Sequence, residues 1–322
     1  MLQIARVAGI PVRVDASWLL VFGLISWSLA SGYFPHVLPD LTPGRAWLHA
    51  VSAALLLFVS VFLHELSHAL VARHHGVRVA GIRLHVFGGV SELESEPPTP
   101  RAEFLIAAVG PLTSFVIAAI CYGLGRALGG MPWAAALTGY LTAVNVIIGL
   151  FNLVPGFPLD GGRLLRAMLW WWSGRVGWAT MWAARAGSLF AFALIALGLV
   201  RAIGGEVVGG LWFILIGLFL HKAARASDDM LRTHHRLETL RVADVMTPHA
   251  LGFDALPVAL GPDDVVAPQS SAWSAFLKTG RNRAGRVVVV DHGRLVGSLS
   301  HRDLQQAAAL ERLRADPGRR AA

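Results

Sequence analysis

Two histidines and one glutamate interrupt an apolar stretch of the sequence, "VFLHELSHALVARHHG", at residues 61–76. His64 and His68 are four residues apart, so on a helix both imidazoles lie on one face and can bind one zinc ion. Glu65 then lies next to them, where a zinc hydrolase needs a general base for the attacking water. The alternative is a pair of interfacial histidines with a snorkelling glutamate. Ionisable groups inside an apolar helix are costly and usually functional, which favours the metal site.

A third ligand is needed, because a catalytic zinc ion usually has three protein ligands and one open position. The candidate is Asp160, in "FNLVPGFPLDGGRLLR". We expect the backbone around this carboxylate to be unwound and its side chain to turn inward, because four helix-breaking residues surround it: Pro155, Pro158, Gly161 and Gly162. His74 and His75 lie past the end of the apolar stretch and are predicted to be solvated or interfacial.

The elements that must position these side chains are predicted to be membrane-spanning helices. The chain has 322 residues, 55% of them hydrophobic, and its mean hydropathy of +0.56 is far above that of a typical soluble protein. Six apolar stretches approach the roughly 20 residues that cross a bilayer, at about 17–35, 49–72, 104–125, 133–155, 178–200 and 207–223. The first is expected to remain in the mature protein, because it lacks a small-residue cleavage site. The single cysteine, Cys121, excludes a disulfide framework.

The positions of the arginines predict the orientation of these spans. With a cytoplasmic amino terminus, nine arginines fall at inside ends and loops and three at outside ones, as the positive-inside rule requires; the inside set is Arg6, Arg13, Arg73, Arg78, Arg83, Arg101, Arg163, Arg166 and Arg175, and the outside set is Arg45, Arg126 and Arg201. Topology therefore explains the net charge of +8 without nucleic acid as a partner. We expect a multi-pass protein of the cell membrane with both termini cytoplasmic and the three ligands near the cytoplasmic side. The excess of arginine over lysine indicates a GC-rich, prokaryotic source.

Between the second and third spans, "VRVAGIRLHVFGGVSELESEPPTP" alternates β-branched and polar residues before a Pro- and Glu-rich loop. The pattern predicts short strands at the cytoplasmic membrane surface. An open sheet edge cannot face lipid, because its backbone groups would lack hydrogen bonds. It could instead pair with an extended peptide by strand addition, and Val86 and Phe87 are candidate contacts.

Hydrophobicity falls sharply after about residue 224, which predicts two domains, 1–224 in the membrane and 225–322 in the cytoplasm. The stretch "GRVVVVDHGRLVGSLSHRDLQQA" predicts a strand, a turn at His292 and Gly293, a second strand and a helix. The predicted fold class is a polytopic α-helical membrane protein with about six transmembrane helices and a short membrane-surface β element. A small α/β cytoplasmic domain follows.

Three motifs together resemble the site-2 protease family of intramembrane zinc metalloproteases, peptidase family M50. They are "HELSH" in the second span, "VGPLTSF" in the third and "NLVPGFPLDGGR" in the fourth, and the resemblance covers about residues 8–222. It implies that His64, His68 and Asp160 bind zinc, that Glu65 is the general base, and that Asn152 contacts the substrate or supports the site. Gly110 and Pro111 would be close-packing or kinking residues, and Pro155 would support the site. Ser114 stands where the family often has asparagine.

The tail resembles a CBS module over about residues 241–308, through "DVMTP" and "VVVVDHGRLVGSLSHRDL". The resemblance implies that Ser300 and Asp303 contact the ribose of an adenine nucleotide. Such modules normally occur in pairs, whereas one motif is visible here, so a homodimer could supply the second half. A nucleotide sensor and a simple docking platform both remain open for this tail.

The resemblance implies regulated intramembrane proteolysis, in which a zinc protease cleaves a membrane-anchored protein within or near its transmembrane segment. The alternative is a non-catalytic membrane scaffold, or a transport-related protein, with a nucleotide- or partner-binding tail. An intact Glu65 favours the protease, because a scaffold could keep a zinc site without a base. Another class of membrane protease with the same histidine motif would need a downstream glutamate ligand, and Asp160 argues against it.

Overall fold

A computed structural model of the chain describes residues 2–85, 88–248, 261, 263–282 and 284–315. The candidate substrate contacts Val86 and Phe87 lie outside these described residues. The chain divides into two compact units, Met1–Arg225 and Ala226–Ala322, one residue from the boundary drawn from hydropathy. Each unit is described by itself.

The first unit begins with a four-stranded sheet. Its strands are β1 (Leu2–Val7), β2 (Ile10–Val14), β3 (Val79–His85) and β4 (Gly88–Leu93), in the order β1-β2-β3-β4. The β2–β3 pair is parallel and the other two pairs are antiparallel. The predicted strands β3 and β4 are present, but β1 and β2 were not predicted. β2 pairs with β3, which follows more than 60 residues later in the chain, so no local hairpin pattern marks that pairing.

The helices of the first unit supply the predicted spans. They are α1 (Ser17–Ser28), a π-helical turn (Leu29–Tyr33), α2 (Phe34–Val37), α3 (Pro43–His74), α4 (Pro100–Ala127), α5 (Pro132–Asn152), α6 (Asp160–Ser173), α7 (Val176–Ile203) and α8 (Val207–Glu238), which belongs to this unit as far as Arg225. Within the described residues, six helical segments are long and apolar enough to cross a membrane, and they match the six predicted stretches to within a few residues except at Pro43, where α3 starts earlier. Proline opens α3, α4 and α5, where its missing N–H leaves no helix bond unmade.

The exposed surface of these helices is apolar, as a lipid-facing surface must be. Ile203 and Val208 are 86% and 85% exposed, and Leu189 is 72% exposed. The buried surface is instead rich in small residues, since Ala50, Ala53 and Ala54 on α3 have no exposed area. Small residues let transmembrane helices approach closely. The protein is therefore a multi-pass membrane protein.

The short helix α6 was not predicted. Its 14 residues span about 21 Å, too little to cross a bilayer. It ends at Gly174, whose φ of 67° gives the left-handed conformation that commonly terminates a helix. Trp171 and Trp172 near its end are 79% and 80% exposed. Exposed tryptophan rings are typical of the membrane interface, where the apolar ring and the polar N–H are both accommodated.

The second unit forms a small α/β layer. Its elements are α9 (Val242–Val245), β5 (Thr247–Pro248), β6 (Val265–Val266), α10 (Ala272–Arg281), β7 (Arg286–Asp291), β8 (Arg294–Ser300) and α11 (His301–Ala315), with sheet order β5-β8-β7-β6. The predicted strand, turn, strand and helix correspond to β7, β8 and α11. His292 and Gly293 have φ of 46° and 81°, the left-handed values that a two-residue hairpin turn requires. The fully buried Val287, Val289 and Leu299 form its core.

Candidate metal centre

Three potential ligand atoms converge between α3, α4 and α6. Asp160 Oδ2 lies 3.1 Å from His64 Nε2 and 3.2 Å from His68 Nε2, and one ligand atom from each residue lies within 4.8 Å of the other two. His64, His68 and Asp160 are 4%, 3% and 9% exposed. The structure therefore brings together the two histidines, which are one helical turn apart, and a carboxylate that lies 92 residues further along the chain than His68.

Each histidine is oriented through its other ring nitrogen. His68 Nδ1 donates to the Ile106 carbonyl at 2.5 Å, and His64 Nδ1 lies 2.9 Å from Ser114 Oγ. A carbonyl oxygen only accepts, so His68 Nδ1 carries the hydrogen and the Nε2 of the neutral ring presents a lone pair. The second bond is compatible with the same tautomer for His64. Partners of this kind fix the ring orientation of metal-ligating histidines.

This donor set fits a zinc ion. Two imidazole lone pairs and a carboxylate oxygen point at a common centre, and a cation between them removes their mutual repulsion. Three protein ligands are also the number that a catalytic zinc ion usually takes, with a fourth position left for water. The fit depends on the chemistry of the three side chains and on the two hydrogen bonds that aim the rings.

Gly110 leaves the space that the imidazoles occupy. A Cβ atom at this position would lie 2.1 Å from His68 Nε2 and 2.6 Å from His64 Nε2, so any larger residue would displace the ligands. Pro111 follows inside α4 and lacks the N–H that would bond four residues back. Gly110 therefore packs directly against the two imidazoles of the site, and not only against a neighbouring helix as its motif implied.

The third ligand arrives at the start of a helix. The segment 153–159, between α5 and α6, is non-helical and contains Pro155 and Pro158, and Asp160 opens α6. Gly161 and Gly162, expected to unwind the backbone, instead lie in the first turn of α6. A Cβ at Gly161 would lie 2.3 Å from the Leu153 carbonyl oxygen, so this glycine allows close backbone packing.

Glu65 lies against the sheet. Ser91 Oγ on β4 is 2.9 Å from Glu65 Oε2 and 2.8 Å from the Glu65 backbone oxygen, so its single hydrogen can be donated to either atom. A Cβ at Gly89 would lie 2.4 Å from Glu65 Cγ. The glutamate side chain therefore occupies the space above β4, with Ser91 as the group that can orient its carboxylate.

Other predicted site residues are not joined to the cluster. Asn152 Nδ2 donates to the Ile148 carbonyl of its own helix, and Pro155 is exposed. No hydrogen bond joins Asn152 to the three ligands in the described part of the chain. The roles of both residues therefore stay predictions.

In the second unit, Ser300 and Asp303 bond to each other. Asp303 Oδ2 accepts from the Ser300 backbone N–H at 2.8 Å and from its hydroxyl at 2.7 Å. The Asp303 N–H in turn donates to Ser300 Oγ at 3.2 Å. This reciprocal arrangement is a capping box at the start of α11. It explains both residues by helix formation.

Sequence reasoning missed Ser91, Ser114 and the Ile106 carbonyl as groups that orient the site. Ser114 is 1% exposed and lies one turn after Gly110, so the i and i+4 spacing on α4 was the signal available for it. Ser91 and Ile106 had no comparable signal. Ser91 depends on strand register, and a backbone carbonyl leaves no mark in a sequence.

Comparison with known proteins identifies relatives. The description "Peptidase family M50" applies to a family model that matches residues 52–140 and 131–196. Rip3 of Mycobacterium tuberculosis, designated a candidate zinc metalloprotease, is 42% identical over 257 residues, 77% of this chain and 64% of Rip3. Zinc metalloprotease MJ0392 of Methanocaldococcus jannaschii is 31% identical over 305 residues, 92% of this chain and 77% of that protein.

A solved structure of a site-2 protease from Methanocaldococcus jannaschii has 29% sequence identity to this chain. The match covers 70% of this chain and 94% of the solved one, with a TM-score of 0.47. The chain spans slightly less than two thirds of the length of Rip3, as the 64% coverage shows.

Proposed function

The chain belongs to peptidase family M50, and from this premise we propose that it is a zinc metalloendopeptidase that cleaves membrane-anchored proteins within or near a transmembrane segment. The observation that carries the proposal is the convergence of His64, His68 and Asp160 next to Glu65. The cluster supplies three ligands, and the adjacent glutamate supplies a base.

His64, His68 and Asp160 would hold the zinc ion. When bound, the ion supplies Lewis acidity that makes water a stronger nucleophile and polarises the scissile carbonyl. Glu65 accepts the proton of the attacking water and delivers it to the leaving amine. Ser91 orients the Glu65 carboxylate, while Ser114 and the Ile106 carbonyl keep the two imidazoles aimed at one point.

The substrate would bind as an extended strand. A transmembrane helix hides its carbonyl groups in internal hydrogen bonds, so the cleaved segment must unwind locally. β4 is an edge strand of the sheet, and its residues Gly89 and Ser91 contact Glu65. A peptide paired with this edge would lie near the base. Val86 and Phe87 remain candidate contacts from the sequence, and Asn152 and Pro155 candidate supports.

We further propose that the protein lies in the cell membrane with both termini cytoplasmic and its site near the cytoplasmic side. The distribution of arginines supports this orientation. Cleavage there would release the cytoplasmic part of a regulator or clear a remnant. The lipid bilayer is then the immediate partner of the six apolar helical segments.

The second unit is proposed to regulate cleavage, with an adenine nucleotide as candidate ligand and a homodimer as candidate assembly. The Ser300-x-x-Asp303 spacing supports the first proposal. Because Asp303 Oδ2 already accepts two bonds from Ser300, a ribose hydroxyl would have to reach the other carboxylate oxygen, Oδ1.

The test combines metal content with cleavage. Full-length protein purified in detergent is analysed for zinc beside Glu65→Gln and Asp160→Ala, and each is incubated with a transmembrane test substrate. We expect about one zinc per wild-type chain, zinc without cleavage in Glu65→Gln, and weakened zinc binding in Asp160→Ala. Wild-type protein that neither binds zinc nor cleaves would favour the non-catalytic scaffold or transport-related protein instead.

A further inference from the structure

A buried ion pair joins α4 to α6 beside the candidate metal centre. Glu103, in the first turn of α4, has no exposed area, and Arg166 on α6 is 8% exposed. Arg166 Nε donates to Glu103 Oε1 at 2.5 Å, and its Nη2 contacts the same oxygen. The guanidinium carbon lies 5.6 Å from the centre of the Phe157 ring, and Glu96 Oε1 lies 3.7 Å from Nη1.

Stability alone does not account for such a pair. The attraction between two buried charges is largely offset by the loss of their hydration, and apolar residues of similar volume are often at least as stabilising. A guanidinium bonded to a carboxylate is nevertheless directional, because its planar group fixes distance and angle together. The pair can therefore set the position of α6 on α4.

Each residue of the pair lies on a helix that also carries a group of the metal centre. Glu103 precedes Ile106 by three residues on α4, so the two lie on one side of the helix, and the Ile106 carbonyl accepts from His68. Arg166 follows Asp160 by six residues on α6, or roughly 9 Å along the axis. The ion pair thus connects the helix that orients a histidine to the helix that carries the third ligand.

We propose that Glu103 and Arg166 are positioning residues that hold Asp160 in register with His64 and His68, so that the three ligands converge before zinc binds. The inference rests on the proposed function, because it takes this cluster as the zinc site. Neither side chain contacts the ligands' donor atoms, and both act through their helices. Loss of groups that orient metal ligands typically lowers metal affinity by about 10–100-fold.

The experiment measures zinc affinity separately from folding. Zinc is titrated into metal-free full-length protein in detergent against a competing chelator, and the Tm of each metal-free variant is recorded. The variants are Arg166→Lys and the double change Glu103→Met with Arg166→Met. Glu206→Gln is the matched control. It removes an exposed ion pair between Glu206 and Arg201, whose oxygen and nitrogen lie 3.1 Å apart, and neither residue is a proposed ligand.

We expect the double methionine variant to keep the wild-type Tm, since apolar residues replace the buried charges, and to bind zinc about tenfold or more weakly. Arg166→Lys keeps the positive charge but loses the planar guanidinium group, so its zinc affinity should lie between those of the wild type and the double variant. It also provides the test if the double variant does not fold. Glu206→Gln should bind zinc as the wild type does.

Wild-type zinc affinity in both Arg166→Lys and the double variant would overturn the inference. A fall in affinity found only where the metal-free Tm falls as well would overturn it too, because the pair would then serve folding alone. Failure of the wild-type protein to bind zinc is a separate result, which would overturn the proposed function and this inference with it.

Discussion

The metal centre and the Ser300–Asp303 pair are both short polar motifs, but their polar atoms are used differently. Asp303 and Ser300 donate to and accept from each other. His64, His68 and Asp160 instead aim their ligand atoms at one point, while the other ring nitrogens are bonded to Ser114 and Ile106. Because the hydrogen bonds of Ser300 and Asp303 are made with each other, the stability of the helix is enough to account for that motif.

The difference shows how to rank two equally recognisable motifs. Lone pairs that converge in a buried site are costly unless a cation lies between them. A capping box needs nothing further, because it satisfies the free N–H groups of a helix end. We therefore expect changes at the metal centre to abolish function with little loss of fold. Changes at the capping box should do the reverse.

The largest effect is expected from Glu65→Gln. The amide is nearly the same size but cannot accept the proton of the attacking water, so kcat should fall about 10³-fold, within the usual range for general bases. Zinc binding should stay near the wild-type value, because the three ligands are untouched. Cleavage of a transmembrane test substrate and zinc content, measured on the same preparation, check both statements.

Ser52→Ala on α3 is the matched control, because the Ser52 hydroxyl donates to the Leu48 carbonyl of its own helix. It should cleave at the wild-type rate. If Glu65→Gln cleaved at the wild-type rate, Glu65 would not be the general base. The contrast between a catalytic motif and a purely structural one would then lose its main support.

Gly110→Ala should have the next largest effect. The added Cβ would lie 2.1 Å from His68 Nε2, so the imidazoles must move and zinc affinity should fall about 100-fold, the upper end for groups that orient ligands. Gly123→Ala on the same helix is the control, since a Cβ there has open space. A zinc titration that gave equal affinities for both variants would show that the centre adapts to the methyl group.

How much of this site could be predicted depends on sequence separation. The i and i+4 histidines on a helix and the apolar stretches of about 20 residues are local patterns, and both appear in the structure. Long-range pairing has no local signal, so the β2–β3 contact and the Ser91–Glu65 bond were not predicted. The helix α6 was missed because its first residues, Asp160 to Gly162, include glycines that usually end helices.

Ser114→Ala is expected to have an intermediate effect. The change removes the hydroxyl 2.9 Å from His64 Nδ1, so the ring loses the partner that fixes its orientation and zinc affinity should fall about tenfold. Thr113→Ala is the neighbouring control, because the Thr113 hydroxyl donates to the Val109 carbonyl of its own helix. If a chelator competition gave Ser114→Ala a zinc affinity as high as that of Thr113→Ala, His64 would be held by packing and not by this bond.

The smallest effect is expected from Asp303→Ala, which removes the capping box. Loss of a cap typically costs about 1 kcal/mol, so hydrogen exchange of α11 amides in the full-length protein should accelerate about fivefold, while zinc binding and cleavage stay unchanged. Hydrogen bonds from the Ser300 hydroxyl and backbone hold the pKa of the Asp303 carboxyl below its usual value. The cap therefore stabilises fully above the unfolded-state pKa of about 3.9 and is lost as pH falls through the lower, folded-state pKa.

The wild-type protein should accordingly lose α11 protection in that acidic range, and the Asp303→Ala variant should lack this part of the pH dependence. Asp291→Asn, at the β7–β8 turn, is the control and should retain the wild-type profile. Proteolysis that responds to an adenine nucleotide in the wild type but not in Asp303→Ala, with α11 protection unaltered, would instead make this carboxylate a ligand group. The capping box would then resemble the metal centre in presenting an oxygen to a bound molecule, and the contrast between the two motifs would fail.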